Sequence, residues 1–266
     1  MSNYFNLTIL GVRGSVCTSG KDFVKYGGNT SCINIETPEH SIIIDAGTGI
    51  RNFKLLDKNV IHIFFSHYHW DHIQGFLFFK KLFDPNSTIH IYGPNNPKKI
   101  IEHVMVPDLF PISLNQIPAT LKFHSISQDE TIPLGDLVIN TKKLNHPSKT
   151  LGYSFEYSNK KIAYVSDTEH FTDTMDMNVL ELSQNADIVL YDSMYTLDEY
   201  KSKKGWGHST WEVGIEIAKK ANVKHFLFFH HDPEKKDTIL DKLEKEAQSI
   251  YPDCSFVKEG TIYNLI

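Results

Sequence analysis

One short segment of the chain carries four side chains of the kinds that bind divalent metals. Residues 66–72 read SHYHWDH and directly follow an apolar run over residues 61–65, which predicts a buried strand. Neutral imidazoles and carboxylates are suitable ligands for zinc and similar ions. A single histidine is more often structural, but the complete HxHxDH pattern after a strand is typical of a metal site. The predicted ligands in this segment are His67, His69, Asp71 and His72.

Three later residues share one local setting, because each ends an apolar strand-like run. They are His146, Asp167 and His230. Each alone is more readily explained by a structural role. Together with the first segment they supply seven ligands, enough for two ions that each keep a position open for water. His231 competes with His230, and we favour His230 because it directly follows the run over residues 226–229.

The elements that must position these residues are mostly strands. They are predicted over residues 7–12, 32–37, 41–45, 61–65, 88–92, 121–126, 137–144, 151–156, 161–166, 187–191 and 225–229. Helices are predicted over residues 71–83, about 210–221 and about 238–250. Ser209 and Glu212 have capping-box spacing for the second helix, and Asp237 is the predicted cap of the third. Because helices fall between strands in both halves, two stacked sheets with outer helices fit better than one doubly wound sheet.

The composition is that of an ordinary globular protein and excludes some classes of partner. With 41% hydrophobic residues, the 266-residue chain is long enough for one large or two small domains. A net charge of -5 argues against affinity built on many phosphate contacts along a polynucleotide, but not against a small phosphate ester. Cys17, Cys32 and Cys254 form no CxxC pair, so neither a disulfide framework nor a cysteine zinc site is expected. Free thiols and the absence of a basic-then-apolar leader predict a cytoplasmic protein without a membrane span.

The ligand pattern and its surroundings resemble the metallo-β-lactamase superfamily over nearly the whole chain. The matching segments are residues 45–49 (DAGTG), the HxHxDH string, and residues 145–147 (NHP), 166–168 (SDT) and 230–233 (HHDP). The resemblance implies a single domain over residues 1–266 with the metallo-β-lactamase fold, an αββα sandwich of two mixed β-sheets with flanking helices. It implies that one ion is held by His67, His69 and His146, the other by Asp71, His72 and His230, with Asp167 bridging them. Asp45 would then be a structural residue that ties down the loop near the metals.

Further motifs narrow the resemblance to one branch. Residues 11–15 (GVRGS), 26–32 (YGGNTSC) and 207–210 (GHST) look like the branch that contains ribonuclease Z and cyclic phosphodiesterases. In ribonuclease Z the matching histidine acts beside the metals without binding them, which implies a catalytic role for His208. The long basic arm of ribonuclease Z has no obvious counterpart. Trp70 and Trp206 flank predicted site residues and are candidates for the rim of the predicted metal site.

These features predict a hydrolase of small phosphodiesters, with 3′,5′-cyclic nucleotides favoured, that uses a hydroxide shared by two divalent ions. Zn²⁺ is favoured, and Mn²⁺ or Fe²⁺ would also be accommodated, since no thiolate selects among them. Asp71 would orient the nucleophile as well as bind an ion, and His208 would protonate the leaving oxygen. The alternatives are a ribonuclease Z-like tRNA 3′-processing endoribonuclease and an inactive metal-binding protein. Extended nucleic acid is the less favoured partner, and a homodimer is implied by the resemblance alone.

Overall fold

The computed structural model describes residues 3–54 and 58–266, which form two β-sheets of seven strands each. From edge to edge, the first sheet contains β14 (Ile262–Asn264), β1 (Asn6–Gly11), β2 (Cys32–Glu36), β3 (Ser41–Ile44), β4 (Val60–Phe64), β5 (Thr88–Gly93) and β6 (Thr120–Ser125). The second contains β13 (Cys254–Phe256), β12 (His225–Phe229), β11 (Ile188–Asp192), β10 (Lys160–Val165), β9 (Thr150–Tyr157), β8 (Leu137–Leu144) and β7 (Thr131–Leu134). Both sheets are mixed, because β3 to β6 and β10 to β13 run parallel while their other neighbours pair antiparallel. The predicted αββα sandwich is confirmed.

The helices of the described residues pack against the outer faces of the sheets. The α-helices are α1 (Trp70–Ile73), α2 (Pro97–Val104), α3 (Met177–Ser183), α4 (Leu197–Tyr200), α5 (Trp211–Lys220) and α6 (Asp237–Ile250). Short 3₁₀ helices span Lys21–Phe23, Thr48–Asn52, Phe76–Phe78, Lys80–Phe83 and Leu114–Gln116. Helices α3, α5 and α6 contact the second sheet, whereas α2 contacts β5 and β6 of the first. Within this part of the chain, the helices all lack the length and apolar character that a membrane span requires.

Central strands are buried on both faces, which explains their continuous apolar runs. In β3, Ile42 and Ile44 lie in the core between the sheets, while Ile43 between them lies in a separate core under the outer helices. Strand β12 shows the same division, since Leu227 and Phe229 face the inner core and Phe228 the outer one. Parallel strands covered on both sides commonly show this pattern. The apolar runs therefore fix the strand positions but leave the strand ends free for polar residues.

The predicted helix over residues 71–83 is wrong beyond its first turn. Helix α1 ends at Ile73, and two 3₁₀ turns follow it. A Cβ atom on Gly75 would come within 2.0 Å of the carbonyl oxygen of Gly47, so the segment packs directly on the loop after β3. Phe79 then adopts an extended conformation with ψ 113°, which separates the two 3₁₀ turns. Tight packing on the neighbouring backbone thus overrides the helical spacing of the apolar residues.

Two predicted helix caps are also wrong. The side chain of Thr210 caps α5, whereas the Ser209 hydroxyl makes hydrogen bonds with Tyr191 and with a histidine side chain. Asp237 is the first residue of α6 instead of its cap. Its carboxylate accepts a hydrogen bond from the backbone N–H of Tyr26 and so joins the helix to the N-terminal segment. In both cases tertiary contacts engage the side chain that local spacing assigned to the cap.

Arg13 holds three loops together through a fully buried guanidinium group. It donates hydrogen bonds to the carbonyl oxygens of Gly27 at 2.8 Å, Asp232 at 3.1 Å and Lys235 at 2.8 Å. These bonds fix the loop after β1 against the segment that follows β12. Because His230 lies at the start of that segment, Arg13 also supports one of the predicted ligands.

We predict that Arg13→Met lowers the free energy of unfolding by about 3 kcal/mol, because it leaves several buried carbonyl groups without a donor. The matched control is Arg51→Met, an exposed arginine, for which we expect a change of about 0.5 kcal/mol or less. Urea denaturation followed by circular dichroism measures both. Equal losses in the two variants would show that the buried hydrogen bonds of Arg13 contribute little.

Candidate metal centre

The seven predicted ligands, which come from both sheets, meet at one end of the sandwich. The structure places them after β4 and in α1 (His67, His69, Asp71 and His72) and after β8, β10 and β12 (His146, Asp167 and His230). Their donor atoms form two main groups, each with all atoms within 4.8 Å of one another. The groups are His67, His69, His146 and Asp167, and then Asp71, His72 and His230. The structure thus brings together residues that are up to about 160 positions apart in the chain.

Two of the predicted ligands, and the aspartate after β3, have an uncommon backbone conformation. Asp45, Asp167 and His230 have φ angles of 56°, 57° and 61°, in the left-handed region. Residues other than glycine rarely adopt it, although aspartate and histidine do so more often than most. The three residues directly follow β3, β10 and β12 or lie one residue beyond. Such strain persists only where the surrounding structure requires it, and it is frequent at functional sites.

Asp167 lies between the two groups with one carboxylate oxygen facing each. Its Oδ2 atom is 3.6 Å from His67 Nε2 and 3.8 Å from His146 Nε2. Its Oδ1 atom is 3.1 Å from His72 Nε2 and 3.2 Å from His230 Nε2. The side chain is almost fully buried, so neither oxygen is satisfied by bulk solvent. This is the arrangement expected of a carboxylate that bridges two cations.

The separations between the donor atoms suit ligands of a shared divalent ion better than direct hydrogen bonds. The Nδ1 atom of His72 donates to Asp45 at 2.7 Å, and its Nε2 atom lies 3.2 Å from a carboxylate oxygen of Asp71 and 3.1 Å from one of Asp167. His146 Nδ1 donates to a backbone carbonyl, and its Nε2 lies 3.3 Å from His69 Nδ1. These separations match the roughly 3.3 Å expected between ligands of a tetrahedral ion with bonds of about 2.0 Å.

The electrostatics of the cluster also favour a cation. Burial alone lowers the pKa of His72, but the carboxylates of Asp167, Asp71 and Asp45 outweigh it, so the net pKa lies well above the usual value. By contrast, burial holds the pKa of His67 well below its usual value, so this imidazole is neutral at neutral pH. His67 Nε2 is buried and has no hydrogen-bond partner within the described residues. A neutral, unpaired imidazole nitrogen beside a carboxylate-rich cluster is suited to bind a divalent ion.

Asp45 lies outside the ligand groups and positions one of their members. The fully buried carboxylate accepts hydrogen bonds from the Ser66 backbone at 2.8 Å, the Ser66 hydroxyl at 2.8 Å and the Tyr164 hydroxyl at 2.8 Å, in addition to His72. A carboxylate behind a ligating histidine fixes the ring orientation and its tautomer. The geometry therefore agrees with the structural role that the sequence predicted for Asp45.

His208 lies beside the ligands and is held by a second carboxylate. Its Nδ1 donates to Asp192 at 2.8 Å, and its ring stacks on that of His230 with centroids 5.0 Å apart. Burial lowers the pKa of His208, but the hydrogen bond to Asp192 and the attraction of Asp192, Asp167 and Asp71 together outweigh it, and the net pKa rises to about 9. Asp192 is fully buried and also accepts hydrogen bonds from the backbone of Thr168 and Met194. The pair forms a rigid proton-bearing group next to Asp167.

Sequence reasoning missed two residues that build this part of the site. Asp192 could have been found, because it ends the apolar run over residues 188–191 just as Asp167 ends its own. Glu169 carried no such signal. Its carboxylate accepts hydrogen bonds from the backbone of Gly205 and Gly207, each at 2.8 Å, and so positions the loop that leads to His208.

The N-terminal motif over residues 11–15 reaches the ligand cluster. The backbone N–H of Ser15 donates to Asp71 Oδ2 at 2.8 Å. A Cβ atom on Gly14 would lie 2.4 Å from the His230 ring, so only glycine fits beside this imidazole. His231, by contrast, donates from Nε2 to the carbonyl of Val257 at 2.9 Å. The structure brings His230 to the cluster and leaves His231 outside it.

Comparisons with known proteins agree on one family and one fold. A family model described as "Beta-lactamase superfamily domain" matches residues 40–231. A protein named Ribonuclease Z from Picrophilus torridus is 26% identical, in an alignment that covers 100% of this chain and 97% of that protein. The metallo-beta-lactamase fold protein YhfI from Bacillus subtilis superimposes with a TM-score of 0.75 at 19% identity, over 99% of this chain and 100% of the other. Yeast PDE1 gives a TM-score of 0.70 at 16% identity, with 98% and 99% coverage.

We predict that Asp167→Ala reduces bound metal by about one ion per chain or more, because each carboxylate oxygen faces a different ligand group. Inductively coupled plasma mass spectrometry of protein dialysed against limiting Zn²⁺ measures the content. Asp173→Ala changes an exposed aspartate six positions further on and serves as the control, with unchanged metal content expected. Wild-type stoichiometry in the Asp167 variant would contradict the bridging role.

Proposed function

The chain belongs to the metallo-β-lactamase superfamily, and from that premise we propose that it is a metal-dependent phosphodiesterase. The proposal rests on one observation. Asp167 lies between two ligand groups, and the His208–Asp192 pair lies beside it. Such a site combines a place for two cations with a separate proton donor. Hydrolysis of a phosphodiester needs both, since charge accumulates on the phosphoryl oxygens and the leaving alkoxide needs a proton.

The ligand residues define what each part of the site would contribute. His67, His69 and His146 would hold one divalent ion, and Asp71, His72 and His230 the other, with Asp167 shared. Such a pair of ions lowers the pKa of bound water and neutralises charge on the phosphoryl group. Asp71 would accept a hydrogen bond from the attacking water and thereby orient it. Its position supports this role, because the backbone N–H of Ser15 donates to its Oδ2 atom at 2.8 Å and so fixes the carboxylate.

His208 would protonate the leaving oxygen. Because Asp192 engages Nδ1, the second ring nitrogen of the imidazolium is the one free to donate. The raised pKa of His208 keeps the donor protonated at neutral pH, and nearby cations would lower this pKa towards the range that suits a general acid. Asp192 would act as a positioning residue that holds the ring and its tautomer.

For the substrate, we propose a small phosphodiester, with 3′,5′-cyclic nucleotides as the first choice. The net charge of -5 provides little attraction for a polynucleotide. Two of the three lysines in the segment before His208 are engaged locally, since Lys201 pairs with Asp198 at 2.7 Å and Lys203 lies 4.1 Å from the ring of Trp206. This segment is therefore poorly suited to hold a long phosphate backbone.

A ribonuclease Z-like activity on tRNA is the second candidate. The match of the Picrophilus protein named Ribonuclease Z to the entire chain favours it. A homodimer, which the family likeness implies, would be needed to form a joint basic surface. For the metal we propose Zn²⁺, with Mn²⁺ or Fe²⁺ as alternatives, because the ligands are imidazoles and carboxylates without a thiolate.

We predict that His208→Ala lowers kcat about 10²- to 10⁴-fold with a natural diester, whose alkoxide leaving group needs a proton. With bis(4-nitrophenyl) phosphate the loss should be much smaller, because nitrophenolate leaves without protonation. Asp192→Asn should show the same contrast to a lesser degree. Equal losses on the two substrates, at unchanged metal content, would remove His208 from the donor role.

Salt dependence separates the two substrate classes. We predict turnover of cyclic nucleotides by the metal-loaded enzyme with a KM that changes little between 50 and 200 mM KCl, because one phosphate is bound. Precursor tRNA, if it is the substrate, should bind with an affinity that falls about 10³-fold over the same range. Salt-sensitive cleavage of tRNA without turnover of cyclic nucleotides would favour the ribonuclease, and hydrolysis of neither would contradict a phosphodiesterase.

A further inference from the structure

A cavity of about 440 Å³ lies beside the metal-binding string, between the loop after β4 and helix α2. Its volume falls within the usual range of small-ligand pockets. Its lining contains the aromatic side chains of Tyr68 and Trp70, the aliphatic side chains of Ile73, Ile100 and Val104, and a group of polar side chains at the start of α2 and along it, here called the polar wall. The polar wall contains Asn95, Asn96, Lys99 and His103.

The cavity and the metal-binding string are neighbours along the chain, although none of the seven predicted ligands is among the described residues that line the cavity. Tyr68 and Trp70 flank His69 in the sequence, so the residues of one short loop serve both sites. The Tyr68 hydroxyl donates to the carbonyl of Pro94 at 2.9 Å and fixes the turn before α2 against this loop. Trp70 is 56% exposed despite its size, so its ring is accessible at the mouth of the site. An exposed tryptophan at this position is suited to stack on a planar ligand.

The polar wall presents donors without balancing carboxylates. Lys99 and His103 are one helical turn apart and line the same cavity, and none of the described residues that line it is acidic. Lys98, one position earlier, instead pairs with Glu102 at 3.7 Å, away from the cavity. The Asn96 side-chain oxygen accepts from the Lys99 backbone N–H, which leaves its amide group as a donor. A ligand that offers hydrogen-bond acceptors would therefore find donors on this wall.

We propose that this cavity is the nucleobase subsite of the enzyme and that the base stacks on Trp70. The ammonium group of Lys99 then donates hydrogen bonds to the edge of the base, so that guanine binds more tightly than adenine. This inference rests on the proposed function, because it places the base of the substrate beside the phosphate at the metals. Guanine presents two acceptors, N7 and O6, on one edge, whereas adenine replaces the second with a donor amino group. An ammonium group facing that edge favours guanine and disfavours adenine. Pyrimidines offer a smaller surface for stacking.

Steady-state kinetics of the metal-loaded enzyme with 3′,5′-cyclic GMP, 3′,5′-cyclic AMP and bis(4-nitrophenyl) phosphate tests the subsite. The wild type should have a KM about tenfold lower for cyclic GMP than for cyclic AMP. Lys99→Ala should remove that preference by raising the KM for cyclic GMP alone. Trp70→Ala should raise the KM for both nucleotides about tenfold. Bis(4-nitrophenyl) phosphate, which has no purine edge for Lys99 to contact, reports on the metal centre itself.

Lys98→Ala is the matched control, because Lys98 lies on the same helix but outside the cavity; it should behave as the wild type. Equal KM values for the two nucleotides in the wild type would overturn guanine selection. An equal rise for both nucleotides in Lys99→Ala would also overturn it, since the lysine would then attract the phosphate and not read the base. Unchanged KM values in Trp70→Ala would overturn the stacking role.

Calorimetric titration of the metal-loaded protein with GMP and AMP tests the subsite without turnover. We expect tighter binding of GMP, lost in Lys99→Ala and kept in Lys98→Ala. If bis(4-nitrophenyl) phosphate is hydrolysed but GMP and AMP bind equally, the subsite is wrong and the phosphodiesterase stands. If none of the diesters is hydrolysed but GMP binds in the expected order, the proposed function fails and the base-binding cavity is supported.

Discussion

The structure gathers buried carboxylates and imidazole nitrogens in one place. Positive charge is needed to stabilise them. Asp71 and Asp167 lie within 3.2 Å of the Nε2 atom of His72, whose other nitrogen is already engaged by Asp45. Burying such a group without compensation is costly, because carboxylates and unpaired imidazole nitrogens lose their hydration. Two divalent ions would compensate the cluster, and the same ions would make it reactive towards a phosphodiester. Stability and activity of this end of the sandwich therefore have one common cause.

The cluster forms because strands of both sheets end at the same place. The apolar cores fix the strands, and the residues after β3, β10 and β12 adopt left-handed conformations that end them at the site. Carboxylates behind the ligands complete the arrangement, with Asp45 behind His72 and Asp192 behind His208. Tyr68 and Trp70, which alternate with the ligands of the first string, line a separate cavity, so the metal site and the proposed base subsite share one loop.

Much of this could be predicted from the sequence, because the informative residues stand directly after apolar runs. The strands over residues 137–144 and 225–229 were predicted with the bounds that the structure shows, and the seven proposed ligands converge. The break of the helix at Gly75 could not be predicted, since it results from contact with a distant backbone. Helices α2 and α3 were missed, because both are short and have few buried apolar residues to reveal them. The cavity beside α2 could not be predicted from the sequence for the same reason.

The bridging of two cations by Asp167 is tested most directly by anomalous X-ray diffraction from crystals of the Zn²⁺-loaded protein, measured on both sides of the zinc absorption edge. We expect two zinc ions about 3.5–4 Å apart, each within bonding distance of a different carboxylate oxygen of Asp167. A single ion, or ions bound away from His67, His146 and His230, would contradict the shared origin of stability and activity.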